Sequence, residues 1–140
     1  MKQVRRVLVV EDDRDTRTMV EEVLVEGGFD VDTAGDSNTA LRKVAATRYD
    51  LAIVDLMLPD LDGVLLHDKI ARVDPLLARR LVFTTGYTDR PAVIDFLRRT
   101  AQGFLAKPFR PDELLGAVAA VLSADAKAGR GRVGTHAGKA

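Results

Sequence analysis

Short apolar runs alternate along the chain with stretches of helical period. The runs are Val7–Val10, Val31–Ala34, Leu51–Val54, Leu81–Phe83 and Phe104–Ala106. The first and third are continuous and rich in β-branched residues, as in a strand covered on both faces and hence a parallel sheet. The second is weaker and more alternating, which suits an edge strand. Met19, Val20, Val23 and Leu24 form a first helical stripe, stopped by Gly27-Gly28. Ala40, Leu41, Val44 and Ala45 form a second, behind an Asp36-Ser37 cap candidate. Val64, Leu65, Leu66 and Ile70 follow Gly63, and Val93, Ile94 and Leu97 follow Pro91. Leu114, Leu115, Val118 and Leu122 make the fifth stripe, opened by Pro111, Asp112 and Glu113, whose acids suit the positive end of a helix.

Five strand–helix alternations with short connections require right-handed crossovers and helices on both sheet faces. The expected architecture is an α/β, three-layer α/β/α sandwich around a five-stranded parallel sheet. The pattern stops at Ala124. Residues 126–140 are mostly Ala, Gly, Lys and Arg and hold four of the eleven glycines, so the chain is expected to divide into a domain at 1–123 and a flexible basic tail at 124–140.

Composition narrows the classes. An apolar share of 46% and a charged share of 30% over 140 residues describe one globular domain with its own core. The absence of cysteine removes disulfides, thiolate metal sites and cysteine nucleophiles. Zero net charge speaks against a polyanion binder. The tail from 123 carries +3, through Lys127, Arg130, Arg132 and Lys139 against Asp125, and leaves −3 on the body. No apolar run approaches the roughly 18 residues of a membrane span, and acids follow Val10 too soon for a signal peptide, so no membrane insertion and a cytoplasmic location are expected.

In an open parallel sheet, ligands sit beyond the carboxyl ends of the strands. Glu11, Asp12 and Asp13 follow the first strand, and Asp55 ends the third. Thr84-Thr85-Gly86 end the fourth, and Lys107-Pro108 end the fifth. Gathered carboxylates need a compensating cation, and an all-oxygen set suits a hard ion such as Mg²⁺. Lys107 and a threonine hydroxyl can engage phosphate oxygens, and Gly86 leaves room for them. An anionic Asp55 beside a dication is a reasonable in-line nucleophile toward phosphorus, giving an acyl phosphate.

These motifs together resemble the receiver domains of two-component response regulators, the CheY-like family. They are Val-Glu-Asp-Asp after strand one, Val-Asp-Leu-Met-Leu-Pro-Asp-Leu-Asp-Gly after strand three, Phe-Thr-Thr-Gly after strand four and Phe-Leu-Ala-Lys-Pro-Phe around strand five. The resemblance covers about residues 5–122. It implies a flavodoxin-like (βα)5 fold with strand order 2-1-3-4-5. It implies Asp55 as phosphoacceptor, and Mg²⁺ held by Asp12 directly, by Glu11 through water, by Asp55 and by the Met57 backbone carbonyl. It further implies Thr85 as the switch hydroxyl, Lys107 as the phosphate-pairing lysine, a cis bond to Pro108, and Phe104 as the aromatic switch.

The implied function is a phosphorylation-activated signalling switch rather than an enzyme. A histidine kinase or histidine phosphotransfer protein would donate the phosphoryl group. The face of helix four, strand five and helix five would signal to a downstream protein target, with no direct DNA binding, because too few residues follow Leu122 for an output domain. The resemblance leaves open both dimerisation on phosphorylation and origin as a stand-alone receiver or part of a hybrid kinase. Glu11 stands where Asp is commoner, and Phe104 lacks the hydroxyl of the frequent Tyr. Met57 and Tyr87 are bulky neighbours, so a fairly long-lived phosphoryl group is expected.

Plainer readings compete residue by residue. Asp13 or Asp15 reads as a helix cap, and Asp60 and Asp62 as turn and cap residues rather than a calcium loop. Thr84 is the packing partner of Thr85 across the strand alternation. His67 reads as a solvated helix residue, and His136 carries no role. The competing activity is a Mg²⁺-dependent aspartate-nucleophile phosphatase of the haloacid dehalogenase type. It is disfavoured because Asp13-Arg14-Asp15-Thr16-Arg17 ends in Arg and no cap segment is present. A phosphorylation-independent module would need none of these site residues.

Overall fold

A computed structural model describes residues 4–86, 91–100 and 103–134. Five parallel strands, β1 (Arg6–Val10), β2 (Asp30–Ala34), β3 (Leu51–Asp55), β4 (Leu81–Thr85) and β5 (Gly103–Ala106), form one sheet in the order β2-β1-β3-β4-β5. The helices are α1 (Arg14–Glu26), α2 (Ser37–Ala46), α3 (Gly63–Val73), α4 (Pro91–Thr100) and α5 (Pro111–Gly134). A 3-10 turn at Leu77–Arg79, absent from the periodicity reading, leads into β4. The fold is the CheY-like α/β sandwich anticipated from the sequence.

Strand burial explains the apolar runs. Every residue of β3 and β4 is buried, while β2 and β5 lie at the sheet edges and are only partly covered. Alternation splits the interior into two layers. Leu8, Val10, Ala52, Val54, Leu81 and Phe83 face α2, α3 and α4. Val7, Val9, Leu51, Ile53 and Val82 face α1 and α5, meeting Val20, Leu24, Leu114 and Val118.

Local chemistry sets the helix starts. The Asp13 carboxylate caps α1 by accepting from Thr16 N–H, Asp36 caps α2 through Thr39 N–H, and Asp62 caps α3 through Val64 N–H. Helix α1 ends where Gly28 takes φ +94°, a conformation other residues rarely adopt.

Helix α5 runs on to Gly134, past the last residue of its apolar stripe at Leu122. Alanine, lysine and arginine favour helix enough to carry the backbone past the packed segment despite the interspersed glycines. One local expectation is corrected. His67 is not a solvated surface residue. Its side chain is 19% exposed and its ring lies against Phe83 and Phe96. A histidine three residues before Ile70 falls on the buried edge of the α3 stripe, and its apolar ring body packs there. Tyr87 and His136 lie outside the described residues.

Candidate functional site

The carboxyl end of the sheet gathers the candidate residues. Glu11 follows β1 and is buried, its backbone N–H extending the ladder to Ala34 O at 3.0 Å. Asp55 closes β3 and is 4% exposed. Lys107 follows β5, and its backbone N–H donates to Thr85 O at 2.9 Å, tying the β5 exit to the end of β4. The Lys107–Pro108 peptide is cis.

These side chains meet. The Lys107 Nζ lies 2.8 Å from Glu11 Oε1 and 2.9 Å from Asp55 Oδ2. The second Asp55 oxygen accepts the Met57 N–H at 2.9 Å, and the second Glu11 oxygen accepts the Asp13 N–H at 3.0 Å. Asp12 is exposed beside them, and one carboxylate oxygen each from Glu11, Asp12 and Asp55 fall within 4.8 Å of one another. One ammonium thus pairs with two of three gathered carboxylates. This all-oxygen, net-negative set suits a hard ion such as Mg²⁺ in its donor chemistry.

Burial raises the Glu11 carboxyl above its ordinary range, and the nearby Asp55 charge adds to the rise. The hydrogen bonds from Lys107 and Asp13 oppose it. For Lys107, burial pulls downward, but the hydrogen bonds to Glu11 and Asp55 and their charges outweigh it, so the ammonium is held above its usual value. In the folded chain Glu11 keeps its proton to higher pH than in the unfolded chain, whose carboxyl titrates near 4.5. Glu11 therefore costs the metal-free fold stability as pH rises from about 4.5 through the raised value. Glu11→Gln removes that cost. Its melting temperature in divalent-free buffer is expected to gain on the parent as pH increases across this window, and a constant difference would refute the burial effect.

The remaining candidates take different places. Thr85 is fully buried. Asp55 pairs in register with Thr84, so alternation sets Thr84 on the Asp55 side and Thr85 on the side of Phe83. Phe104 pairs with Phe83 and shares that face, 37% exposed. Asp13 spends its carboxylate on the Thr16 N–H and hydroxyl, as the capping reading expects. That occupies the first acid of the Asp13-x-Asp15 pair a dehalogenase-type phosphatase would use.

Two contributors were not visible in the sequence. The Arg17 guanidinium donates to Glu11 O at 2.9 Å and to Asp12 O at 3.3 Å, clamping the acidic turn from the first turns of α1. Nothing in the sequence marks Arg17 apart from its place just after the acids. Asp60 belongs to a turn, but it also accepts from Ser37 N–H and hydroxyl and from Asn38 N–H, joining the β3–α3 loop to α2. The Ser37 hydrogen bonds hold its carboxyl below the usual range.

The loop after Asp55 is closed by a narrow contact. Gly63 N–H donates to Leu56 O at 3.0 Å, and Met57 and Asp62 form an isolated antiparallel bridge. A Cβ on Gly63 would lie 2.6 Å from Leu56 Cα and 2.7 Å from its Cδ2. Only glycine lets α3 start this close to the acid-bearing strand.

Residues 7–119 match the response regulator receiver domain family, and the chain belongs to it. The chain is 37% identical over 118 residues to the DNA-binding response regulator MtrA of Mycolicibacterium paratuberculosis, a match spanning 84% of this chain and 51% of MtrA. It is 29% identical over 114 residues to the chemotaxis protein CheY of Bacillus subtilis, covering 81% of this chain and 93% of CheY. A CheY-like receiver domain from Methanospirillum hungatei superimposes with a TM-score of 0.80 at 25% identity, covering 89% of this chain and 98% of the other. The chain spans about half the length of MtrA. It is thus a receiver domain of the kind that carries signals in two-component systems. No helix among the described residues is long and apolar enough to cross a membrane.

Proposed function

We propose that the chain is a phosphorylation-activated switch whose phosphoacceptor is Asp55. The observation that carries this reading is the Lys107 ammonium held between Glu11 and Asp55 at the ends of three strands, with Asp12 beside them. A histidine kinase or phosphotransfer protein presents a phosphohistidine. The Asp55 oxygen attacks phosphorus in line as the P–N bond breaks, and the imidazole leaves with its electron pair. Lys107 receives the phosphate oxygens, and the Thr85 hydroxyl, on the Phe83 side of the sheet before transfer, moves toward them once Asp55 carries the group. Glu11, Asp12, Asp55 and the Met57 carbonyl would hold Mg²⁺, which supplies charge neutralisation for the transferring group.

The chain acts as a switch rather than as an enzyme, with Thr85 and Phe104 sharing a face and the α4-β5-α5 surface as its output. Ile94 and Phe104, 39% and 37% exposed, give that surface its apolar character. MtrA is a DNA-binding regulator by name, but this reading assigns the present chain a protein target. The net −3 of residues 1–122 disfavours DNA for the receiver unit. Residues 1–123 form that unit and 124–140 a basic appendage.

The test is incubation with acetyl phosphate, with and without Mg²⁺, followed by intact mass spectrometry. One hydroxylamine-labile phosphoryl group that appears only with Mg²⁺ is expected. Steady turnover of phosphomonoesters would replace this reading with a phosphatase, and no labelling would leave a phosphorylation-independent module. The same label, followed after donor removal, should persist for minutes or longer if bulky neighbours shield it; decay in seconds would refute that shielding.

A further inference from the structure

Three aromatic rings from three elements meet under α4. Phe96 of α4 stands edge-on to Phe83 of β4, with centroids 5.1 Å apart at 74°, and edge-on to His67 of α3 at 5.5 Å and 78°. His67 and Phe83 complete the triangle at 6.2 Å. Among the described side chains of α4, Phe96 alone is buried and Leu97 is half-buried, while Ala92, Ile94, Asp95, Arg98 and Arg99 are exposed. Among the described side chains, the helix is therefore seated through the Phe96 ring, with Leu97 packed beside it against the same core. The seat adjoins the proposed switch pair, since Phe83 is in register with Phe104 and lies two residues before Thr85 on the same face.

His67 is the polar member of this cluster. Asp68 Oδ1 lies 3.8 Å from its Nδ1, too far for a hydrogen bond. An imidazole pressed onto two phenyl rings gives up hydration that a phenyl ring in its place would not have to surrender. It supplies ring contact to Phe96 while keeping the contact weaker than an all-apolar cluster would be.

We propose that His67 is a positioning residue that sets how firmly α4 is seated, coupling α3 to the output face. The coupling to output rests on the switch reading above; the seating itself does not. Amide hydrogen exchange of the full chain, with no phosphodonor present, measures the seating directly. His67→Ala is expected to lower α4 protection roughly two- to tenfold, the range for loss of an aromatic pair, with β1 and β3 unchanged. His67→Phe is expected to restore α4 protection and exceed the parent. Unchanged α4 protection in both variants, or a parallel change in every element, would overturn the proposal. Because Asp55 takes no part in this measurement, failure of phosphoryl transfer and failure of the seat are read separately.

Discussion

Asp55→Asn gains no phosphoryl group from acetyl phosphate and Mg²⁺, under conditions where the parent acquires one. On the proposed reading Asp55 supplies the nucleophilic oxygen, and the neutral carboxamide of Asn is too weakly nucleophilic to form the acyl phosphate. The fold is expected to survive. The amide oxygen of the variant can still accept the Met57 N–H, and Lys107 keeps its 2.8 Å partner in Glu11. Removing one of three clustered carboxylates also relieves repulsion in the metal-free protein. A melting temperature within about 3 °C of the parent, a shift worth under roughly 1 kcal/mol for a chain of this size, would accompany the lost label. A variant that still acquires a hydroxylamine-labile phosphoryl group would move the acceptor to another acid, and the assignment of Asp55 would fall.

Gly63→Ala is expected to be the most damaging small substitution near the site. The added methyl would meet Leu56 Cα at 2.6 Å, and backbone cannot swing away as a side-chain tip can. Either α3 retreats or the strand end shifts. Overpacking of this kind costs about 1–3 kcal/mol, and for a domain of this length the upper half of that range lowers the melting temperature by roughly 5–10 °C. Because Leu56 is the residue after Asp55, the shift also reaches the acid. Slower phosphoryl uptake should therefore appear at temperatures where the variant is still folded. A Gly63→Ala protein with parental melting temperature and labelling rate would show that the loop has slack the packing does not suggest. Gly86 is the control, because a Cβ there has nothing within 4 Å.

The residues behind these two predictions mark what the sequence places and where it stops. The position of Asp55 at the sheet's carboxyl edge was legible because it ends a continuous β-branched run, and strand ends in parallel sheets are where ligands bind. Glu11, Asp12 and Lys107 were found in the same way, at the ends of other runs. Gly63 was seen only as a helix start, since its need for a missing Cβ arises from Leu56 across a folded loop. Arg17 and Asp60 were out of reach for the same reason. Each makes its bonds to backbone or to another element, and no spacing rule announces such a partner. His67 was misplaced because a polar residue at the edge of an apolar stripe looks solvated until its neighbours on β4 and α4 are known.

Taken alone, the chain's pattern of apolar and polar positions determined the order and type of its elements, the parallel sheet, and which polar residues stand at its carboxyl edge. Those follow from periodicity and local chemistry, which are properties of neighbouring residues. Only the tertiary structure decided that Lys107 sits between Glu11 and Asp55, that Thr85 and Phe104 share the α4 side of the sheet, and that α4 rests on a ring from α3. These depend on strand register and on helix packing across the sheet, where contacts between residues tens of positions apart settle which side chains meet.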